Sequence, residues 1–485
     1  MSTNALDRKE LFEKAPIAKA LATFAVPTVI SQLITMIYNL ADTYFVGRTD
    51  NPYMVAAVTL CFTTFMILNA FGQLFGIGGG ALTSKLLGAY KENDARKIGC
   101  FSFYSSLIVA ALVCLTMYLF QDPILRFLGA SDQTIGYARE YTTYTVIIGG
   151  IPTLLSITLS HLLRNEGYSQ KASFGLSMGG VLNIILDPLF MFVILEPGNE
   201  VKGAAIATMI SNYIVFVYYL VFYFRHKHEL IININITNYP KGLPFLGQIL
   251  SVGFPSFLAP FLATVANSTL NRLCSNYGDI AVAAFGIAKK IDMLPMNTSL
   301  GLCQGMVALV SYNYANKNFK RMKSFIDTTR WVGIGFAAIC IIAFEIFPEQ
   351  IVRLFIADPA TVEVGVMALR RAALSTPFMI SIFHMIYTYQ SMGFGFKSMI
   401  LSACRQGIVN IPMMFIMNKL LGLSGLYWTQ LVADGITITE MTDACLNRGL
   451  DIIKEHIDND PEENYKLRKI RELDDLFDEV VKNTK

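Results

Sequence analysis

The chain has 485 residues, of which 53% are hydrophobic and only 15% charged, and its mean hydropathy is +0.47. Soluble domains carry about 25% charged residues, so this composition excludes an ordinary soluble enzyme, a disordered chain and a small disulfide scaffold. The net charge of +3 is not gathered into a basic domain, which leaves nucleic-acid binding without support.

The N-terminal stretch 1–23 mixes Arg8, Lys9, Glu10, Glu13, Lys14 and Lys19 with apolar residues and has no cleavage-site pattern, so it reads as a retained cytoplasmic or interfacial segment. Apolar stretches then follow near 24–46, 54–87, 99–120, 137–162, 171–195, 203–224, 246–274, 281–312, 328–347, 364–391 and 398–420. Each is near the roughly 20 residues that cross a bilayer core. These eleven clear spans are joined by a doubtful twelfth that begins near Leu423, meets Asp434 and Glu440, and turns polar.

Lys and Arg are distributed unevenly between alternate loops. With the N-terminus inside, one side holds Arg8, Lys9, Lys14, Lys19, Lys91, Arg96, Lys97, Arg164, Lys171, Arg225, Lys227, Lys241, Lys317, Lys320, Arg321, Lys323 and Lys397. The other holds Arg48, Arg126, Lys202, Arg272, Arg353 and Lys419. The positive-inside rule therefore predicts a cytoplasmic N-terminus, and the expected location of this multi-pass protein is the plasma membrane.

The sequence also repeats itself at an offset of 225 to 228 residues. Pro27 falls on Pro255, Asn39 on Asn267, and the loop from Gly88 to Arg96 on Asn313 to Arg321. Phe120 and Arg126 match Phe347 and Arg353, while Pro152 and Gly167 match Pro377 and Gly393. An even number of spans per copy gives both copies one orientation, related by an axis along the membrane normal. The predicted fold is all-α and polytopic: an N-terminal six-helix bundle at 24–224, a polar cytoplasmic linker at 225–244, and a C-terminal bundle at 245–444 whose twelfth helix is short or incomplete. Residues 445–485 form a charged, soluble-like tail. In its last 35 residues Leu467, Ile470, Leu473, Leu476, Phe477 and Val480 recur at helical spacing, which fits an amphipathic helix or a solvated tail.

The inside N-terminus, the two parallel halves, Pro27 in the first span, the run Asn39-Leu40-Ala41-Asp42, Asn183 to Pro188 in the fifth span and Gly203 to Thr208 in the sixth together resemble the multidrug and toxic compound extrusion (MATE) family. The resemblance runs over roughly residues 12 to 436. It implies a cation-coupled antiporter that exports amphipathic organic cations by alternating access, with the coupling ion, H+ or Na+, carried and no cofactor.

Asp42 sits about eighteen residues into the first span, one turn after Asn39, with Gly47 and Arg48 following within two turns, so it is either an intramembrane carboxylate or an interfacial acid near the outer end of the helix. A carboxylate at membrane depth costs roughly 2.5–3.5 kcal/mol on insertion scales and normally faces a bundle interior or cavity. Asn183 and Asp187, four apart, share one helix face. With Asp42 and Thr208 they offer only oxygen and amide ligands, suited to a proton or a hard cation such as Na+; the alternative is a set of helix-packing polar groups. Pro27 breaks a backbone hydrogen bond and permits a bend, which the resemblance links to switching.

The second half does not copy this set, since Leu270 falls opposite Asp42. Its own charges, Lys289, Lys290 and Asp292, sit within the eighth span, where Lys289 and Asp292 have the spacing to pair and line a cleft. Thr35, Met36, Asn39, Met209, Met293, Met296, Asn297, His384 and Tyr387 are the expected cleft lining, because deformable methionines, aromatic faces and a few polar groups suit varied organic cations.

The eight cysteines show no CxxC spacing and no HExxH motif is present, so neither a metal centre nor a Cys/His enzyme is indicated. Gly76-Ile-Gly-Gly-Gly80 lacks the Lys-Ser/Thr of a phosphate loop and reads as close helix packing. The partners expected are small amphipathic or cationic molecules and the bilayer, and a monomer suffices. A lipid or lipid-linked sugar flippase of related architecture is the alternative reading; it would want a basic cleft built from Lys289, Lys290, Arg370 and Arg371.

Overall fold

The computed structural model describes residues 10–49, 51–240, 245–356 and 358–438. The amphipathic tail expected at 445–485 lies outside the described residues. By internal contacts the chain divides into residues 1–435 and a second unit, 436–485, of which 436–438 are described and helical.

The first unit is all helix and turn among its described residues. Its first half holds α1 (Ile17–Gly47), α2 (Pro52–Gly88), α3 (Glu92–Phe127), α4 (Ile135–Thr142), α5 (Gly150–Asn165), α6 (Ser169–Leu189) and α7 (Glu200–His226). The second half holds α8 (Leu246–Ser275), α9 (Asp279–Ala315), α10 (Phe319–Ile346), α11 (Pro348–Arg353), α12 (Pro359–Met392), α13 (Gly395–Ala403), α14 (Asn410–Leu421) and α15 (423–435).

Among the described residues ten helices are long and apolar enough to cross a bilayer, and the α4–α5 pair, bent by 51°, makes an eleventh. They coincide with the eleven apolar stretches read from the sequence, with polar end turns added. The packing repeats as the sequence does: α2 against α5 and α1 against α6 in the first half, α9 against α12 and α8 against α13 in the second. The fold is thus two parallel helix bundles related by a pseudo-two-fold axis.

The halves meet through small residues. A Cβ at Gly301 or Gly305 of α9 would run into the backbone of Val29 or Ala25 on α1. Gly78 of α2 rests on the Ile249 carbonyl of α8, and Gly253 of α8 on the Leu74 carbonyl of α2. Gly88 lies against Tyr312, and the Phe71 and Phe257 rings are 4.8 Å apart. These contacts gather toward the end that carries the two repeat loops, the Lys/Arg-rich end. Helices whose backbones approach this closely gain dispersion contacts that larger side chains would forbid.

The N-terminal segment differs from a free interfacial helix. Phe12 is 3% exposed, stacks on Tyr312 at 4.7 Å and meets Phe24 edge-on at 5.4 Å. Arg321 of α10 donates to the carbonyls of Phe12 (2.7 Å), Leu11 (3.2 Å) and Ala15 (2.6 Å). Glu13 accepts from Tyr90 of the first half at 3.1 Å and Tyr312 of the second at 2.7 Å. Residues 11–15 therefore strap the two halves together.

The polar linker is also docked rather than free. Leu230 and Ile232 are buried in the core of the first half. The amides of Ile231 and Ile232 donate to the Glu166 carboxylate, and Tyr239 stacks on Phe101 at 5.6 Å.

Candidate functional site in the first half

Three helices assemble the polar group predicted in the first half. On α6, Asn183 and Asp187 are 2% and 0% exposed. Their four-residue spacing lets the Asn183 amide donate to Asp187 Oδ1 at 3.2 Å and to Thr208 Oγ1 of α7 at 3.1 Å. Pro188 and the π-helical turn Phe190–Ile194 follow directly; a proline donates no backbone hydrogen bond, and the wider turn accommodates the gap. Gly203 lets α7 close on the Met191 backbone of this turn, which seats Thr208 beside Asn183.

Asp42 comes from α1, which packs along α6, with Gly180 meeting Ile34. The charges of Asp42 and Asp187 act on each other and together on the hydroxyls of Tyr38 and Tyr141. Three buried oxygens here have no hydrogen-bond partner: Asp42 Oδ1, Asn183 Oδ1 and Asp187 Oδ2. A buried unsatisfied carboxylate or amide oxygen costs about 1–3 kcal/mol or more. Such an excess of acceptors fits a proton or a hard monovalent cation, and the donor set contains no soft ligand.

The predicted cleft residues do not all share one surface. Asn39, Thr35 and Met36 lie half-buried on α1, and the Thr35 hydroxyl returns to the Ser31 carbonyl at 2.9 Å. Met293 and Met296 are half-buried on α9, and Asn297 is buried with its amide on the Met293 carbonyl at 2.8 Å. Met209 packs on Gly149 inside the first half. Tyr387 sits at the seam, where its hydroxyl meets Gln304, which in turn joins Gln32 of α1 at 3.0 Å. His384 does not face the first half: it is 3% exposed and its Nε2 lies 2.8 Å from the Ile326 carbonyl of α10. Pro27 lies within α1, which runs as one helix through it.

In the second half Lys289 and Lys290 are exposed and Asp292 is half-buried. Lys289 and Asp292 act on each other through space, and both feel Arg405. A buried ion pair stands elsewhere in this half. Arg405, in the π-helical turn after α13, has Nε 3.5 Å from Asp434 of α15. Gln430 donates to Asp434 at 2.8 Å, and Asn410 to Gln430 at 3.3 Å.

Comparison with known proteins decides the family. The MatE family model matches residues 27–189 and 255–416, two stretches corresponding to the two halves. The chain belongs to the MATE family. This MATE transporter is similar to the multidrug export protein MepA of Staphylococcus aureus (strain MRSA252), with 31% identity over 428 residues, covering 88% of this chain and 92% of the relative. The MepA of Staphylococcus haemolyticus is 32% identical over 430 residues, at the same coverage. Among solved structures, a MATE crystallised in a straight conformation superposes with a TM-score of 0.83 at 24% identity, covering 90% of this chain and 96% of the other. A MOP superfamily transporter from Pyrococcus furiosus, described as having a binding pocket of reversed polarity, gives 0.83 at 23% identity, with 92% and 99% covered.

Both matched stretches of the MATE chain include the repeat loops, but the α1–α6–α7 polar group has no copy in the second half. Sequence reasoning missed two groups beside it, Tyr38 and Tyr141. Tyr38 carries a legible signal, since it stands four residues before Asp42 on the same helix; Tyr141 comes from α4 and is brought in only by the fold.

Proposed function

We propose that this MATE transporter is a cation-coupled antiporter that exports amphipathic organic cations across the plasma membrane, with its N-terminus in the cytoplasm. The observation that carries the reading is the cluster of orphaned buried oxygens on Asp42, Asn183 and Asp187. A site with surplus acceptors and neighbouring carboxylates binds a proton or Na+ strongly when one carboxylate is left uncompensated, because like charges at close range oppose joint ionisation. Thr208 completes the set through Asn183. The drug-exporting relatives and the methionine-bearing face of α9 support an organic-cation cargo.

In this mechanism Asp42 and Asp187 take up the ion, and Tyr38 and Tyr141 sense the change in charge. α1, which carries Asp42 and also forms the inter-half seam through Ala25 and Val29, transmits it; Pro27 supplies the bend. The closed Lys/Arg-rich end is the cytoplasmic gate, and the cargo moves through the space between the halves lined by Thr35, Met36, Asn39, Met293 and Met296.

The test is efflux of a fluorescent organic cation from vesicles under an imposed proton or sodium gradient, with Asp42→Asn, Asp187→Asn and Asn183→Leu. Each variant should lose gradient-driven efflux by tenfold or more while retaining a monodisperse fold, and the gradient that works names the ion. Undiminished efflux in the Asp42 and Asp187 variants would discard the site, and no efflux by the folded parent under either gradient would discard the antiporter.

A further inference from the structure

At the closed end a cavity of about 370 Å³ opens between the two halves. Its wall takes Leu82 and Lys85 from α2 of the first half, and Gln248, Ser251 and Gln390 from α8 and α12 of the second. We propose that this cavity binds the phosphate headgroup of an anionic phospholipid, which clips the halves together in the closed state.

Two lysines meet at this end of the molecule. Lys85 Nζ stands 5.7 Å from the Tyr314 ring centroid and abuts Gly393, where a Cβ would lie 3.3 Å from it. Four residues past Gly393, Lys397 folds its ammonium over Phe394 at 5.3 Å and Tyr389 at 5.6 Å. The Lys397 Nζ is buried and makes no hydrogen bond, and neither does the buried Ser398 hydroxyl beside it. Tyr314 and Phe394 are themselves in ring contact at 6.3 Å, so one aromatic cluster holds both lysines at the α12–α13 turn. Among the described residues neither lysine has a carboxylate partner. Aromatic faces position an ammonium group but do not neutralise it, and an uncompensated buried cation is costly. An anion with several acceptor oxygens in the cavity would pair with Lys85, which lines it, and would lie within the field of Lys397 across the shared aromatic cluster.

The surroundings favour a lipid over a free ion. The cavity lies at the ends of three spanning helices, α2, α8 and α12, where headgroups reside. Gln248 and Ser251 are exposed on its rim, and Phe254 and Phe396, each three residues past a lining residue (Ser251 and Gly393), are exposed at 39% and 68%. A charged pocket on helices that carry exposed aromatic residues one turn further on matches a molecule with a phosphate at one end and acyl chains at the other. Basic pockets between spanning helices on the cytoplasmic side are a recurrent headgroup site. Because Lys85 belongs to one half and Ser251 and Lys397 to the other, a bound headgroup would favour the conformation in which they are together, and it can shift the equilibrium only by that difference in affinity.

This inference does not rest on the proposed coupling site, and its test needs no transport. The full-length protein in neutral detergent is titrated with short-chain phosphatidylglycerol, short-chain phosphatidylcholine or inorganic phosphate, following thermal stability and lipid retention by native mass spectrometry. Phosphatidylglycerol should stabilise and be retained, phosphatidylcholine should not, and inorganic phosphate should act only at far higher concentration. The double variant Lys85→Gln/Lys397→Gln should bind phosphatidylglycerol about tenfold more weakly or worse, whereas Lys85→Arg/Lys397→Arg keeps binding. Should the double variant not fold, Ser251→Phe fills the cavity from its exposed rim and should remove the effect on its own. Equal stabilisation in these variants, or by phosphatidylcholine, overturns the site; phosphate acting as strongly as the lipid overturns the lipid assignment.

Discussion

Tyr90 and Lys317, each the second residue beyond its helix (Gly88 and Ala315) in the two repeat loops, share one strained backbone conformation with φ of 57°, a structural register two residues away from the sequence match of Gly88 with Asn313. They are the two non-glycine residues with positive φ among the described residues. The left-handed conformation costs an L-residue roughly 1–2 kcal/mol, so the loop geometry outweighs that cost twice. Lys317→Gly should relieve the strain at an entropic cost of about 0.5–1 kcal/mol, leaving the melting temperature unchanged or slightly higher. Lys317→Val adds a β-branch where it is least tolerated and should lower it. Thermal unfolding of both variants beside the parent checks the pair.

The strap at residues 11–15 exists only when the halves are closed, since Glu13 bonds Tyr90 on one side and Tyr312 on the other. Phe12→Ala removes a buried ring from this seam, a change worth about 3–5 kcal/mol in a packed core. In a background where Cys303, 1% exposed on α9, is the sole thiol, the variant should be labelled several-fold faster by a small membrane-permeant maleimide. Labelling at the parent rate would mean that the strap does not hold the gate.

Glycines offer a sharper contrast. At Gly305 a Cβ would collide with the Ala25 backbone, whereas at Gly335 of α10 nothing lies within 4 Å. Gly305→Ala should therefore push α9 off α1, weaken the closed state and reduce export severely. Gly335→Ala should stabilise by about 0.5–1 kcal/mol, because alanine loses less backbone freedom in a helix. Expression, melting temperature and efflux measured together distinguish the two.

Much of this was legible in the sequence, and the reason is the bilayer. Spans must be long, apolar and internally hydrogen-bonded, so hydropathy placed eleven of them, and the four-residue spacing of Asn183 and Asp187 placed two candidate site residues on one face. The charge rule, by contrast, put Arg164 in a loop, yet it lies in the last turn of α5 and is 1% exposed, with Gln304 of the other half 3.5 Å away. Nor could local pattern reveal that Phe12 stacks on Tyr312, or that Asp434, read as the polar break of a failing helix, is buried against Arg405. Phe12 and Tyr312 are joined across most of the chain, and for Arg164, Arg405 and Asp434 the charge alone argues for exposure.

The Arg405–Asp434 pair carries its own prediction. Both side chains are almost fully buried, at 6% and 0%, so removing one partner leaves an uncompensated charge. Asp434→Asn should destabilise the second half by about 3–5 kcal/mol, while Arg405→Met/Asp434→Leu should restore most of the loss, since an apolar pair of similar volume does without desolvating either ion. A double-mutant cycle on thermal or denaturant unfolding reads the coupling; additive losses would show that the two residues act separately.

Outside the spans, Asp358 caps the N-terminus of α12, its carboxylate accepting from the Thr361 hydroxyl at 2.6 Å and the Thr361 amide at 2.9 Å. Those two bonds favour the ionised form and hold the Asp358 carboxyl below the usual carboxylate range. A group whose folded pKa is depressed contributes stability above its unfolded value, near 3.9, and loses it as the pH falls through the folded value. Asp358→Ala should accordingly melt lower than the parent above about pH 5, and the gap should narrow as the pH drops below about 4. Asp358→Asn keeps a capping oxygen but no charge, so its deficit against the parent at neutral pH should be the smaller and should vanish over the same interval. Melting temperatures of the three proteins from pH 3 to pH 7 decide it, and a pH-independent gap for the alanine variant would mean that the cap acts through its shape and not its charge.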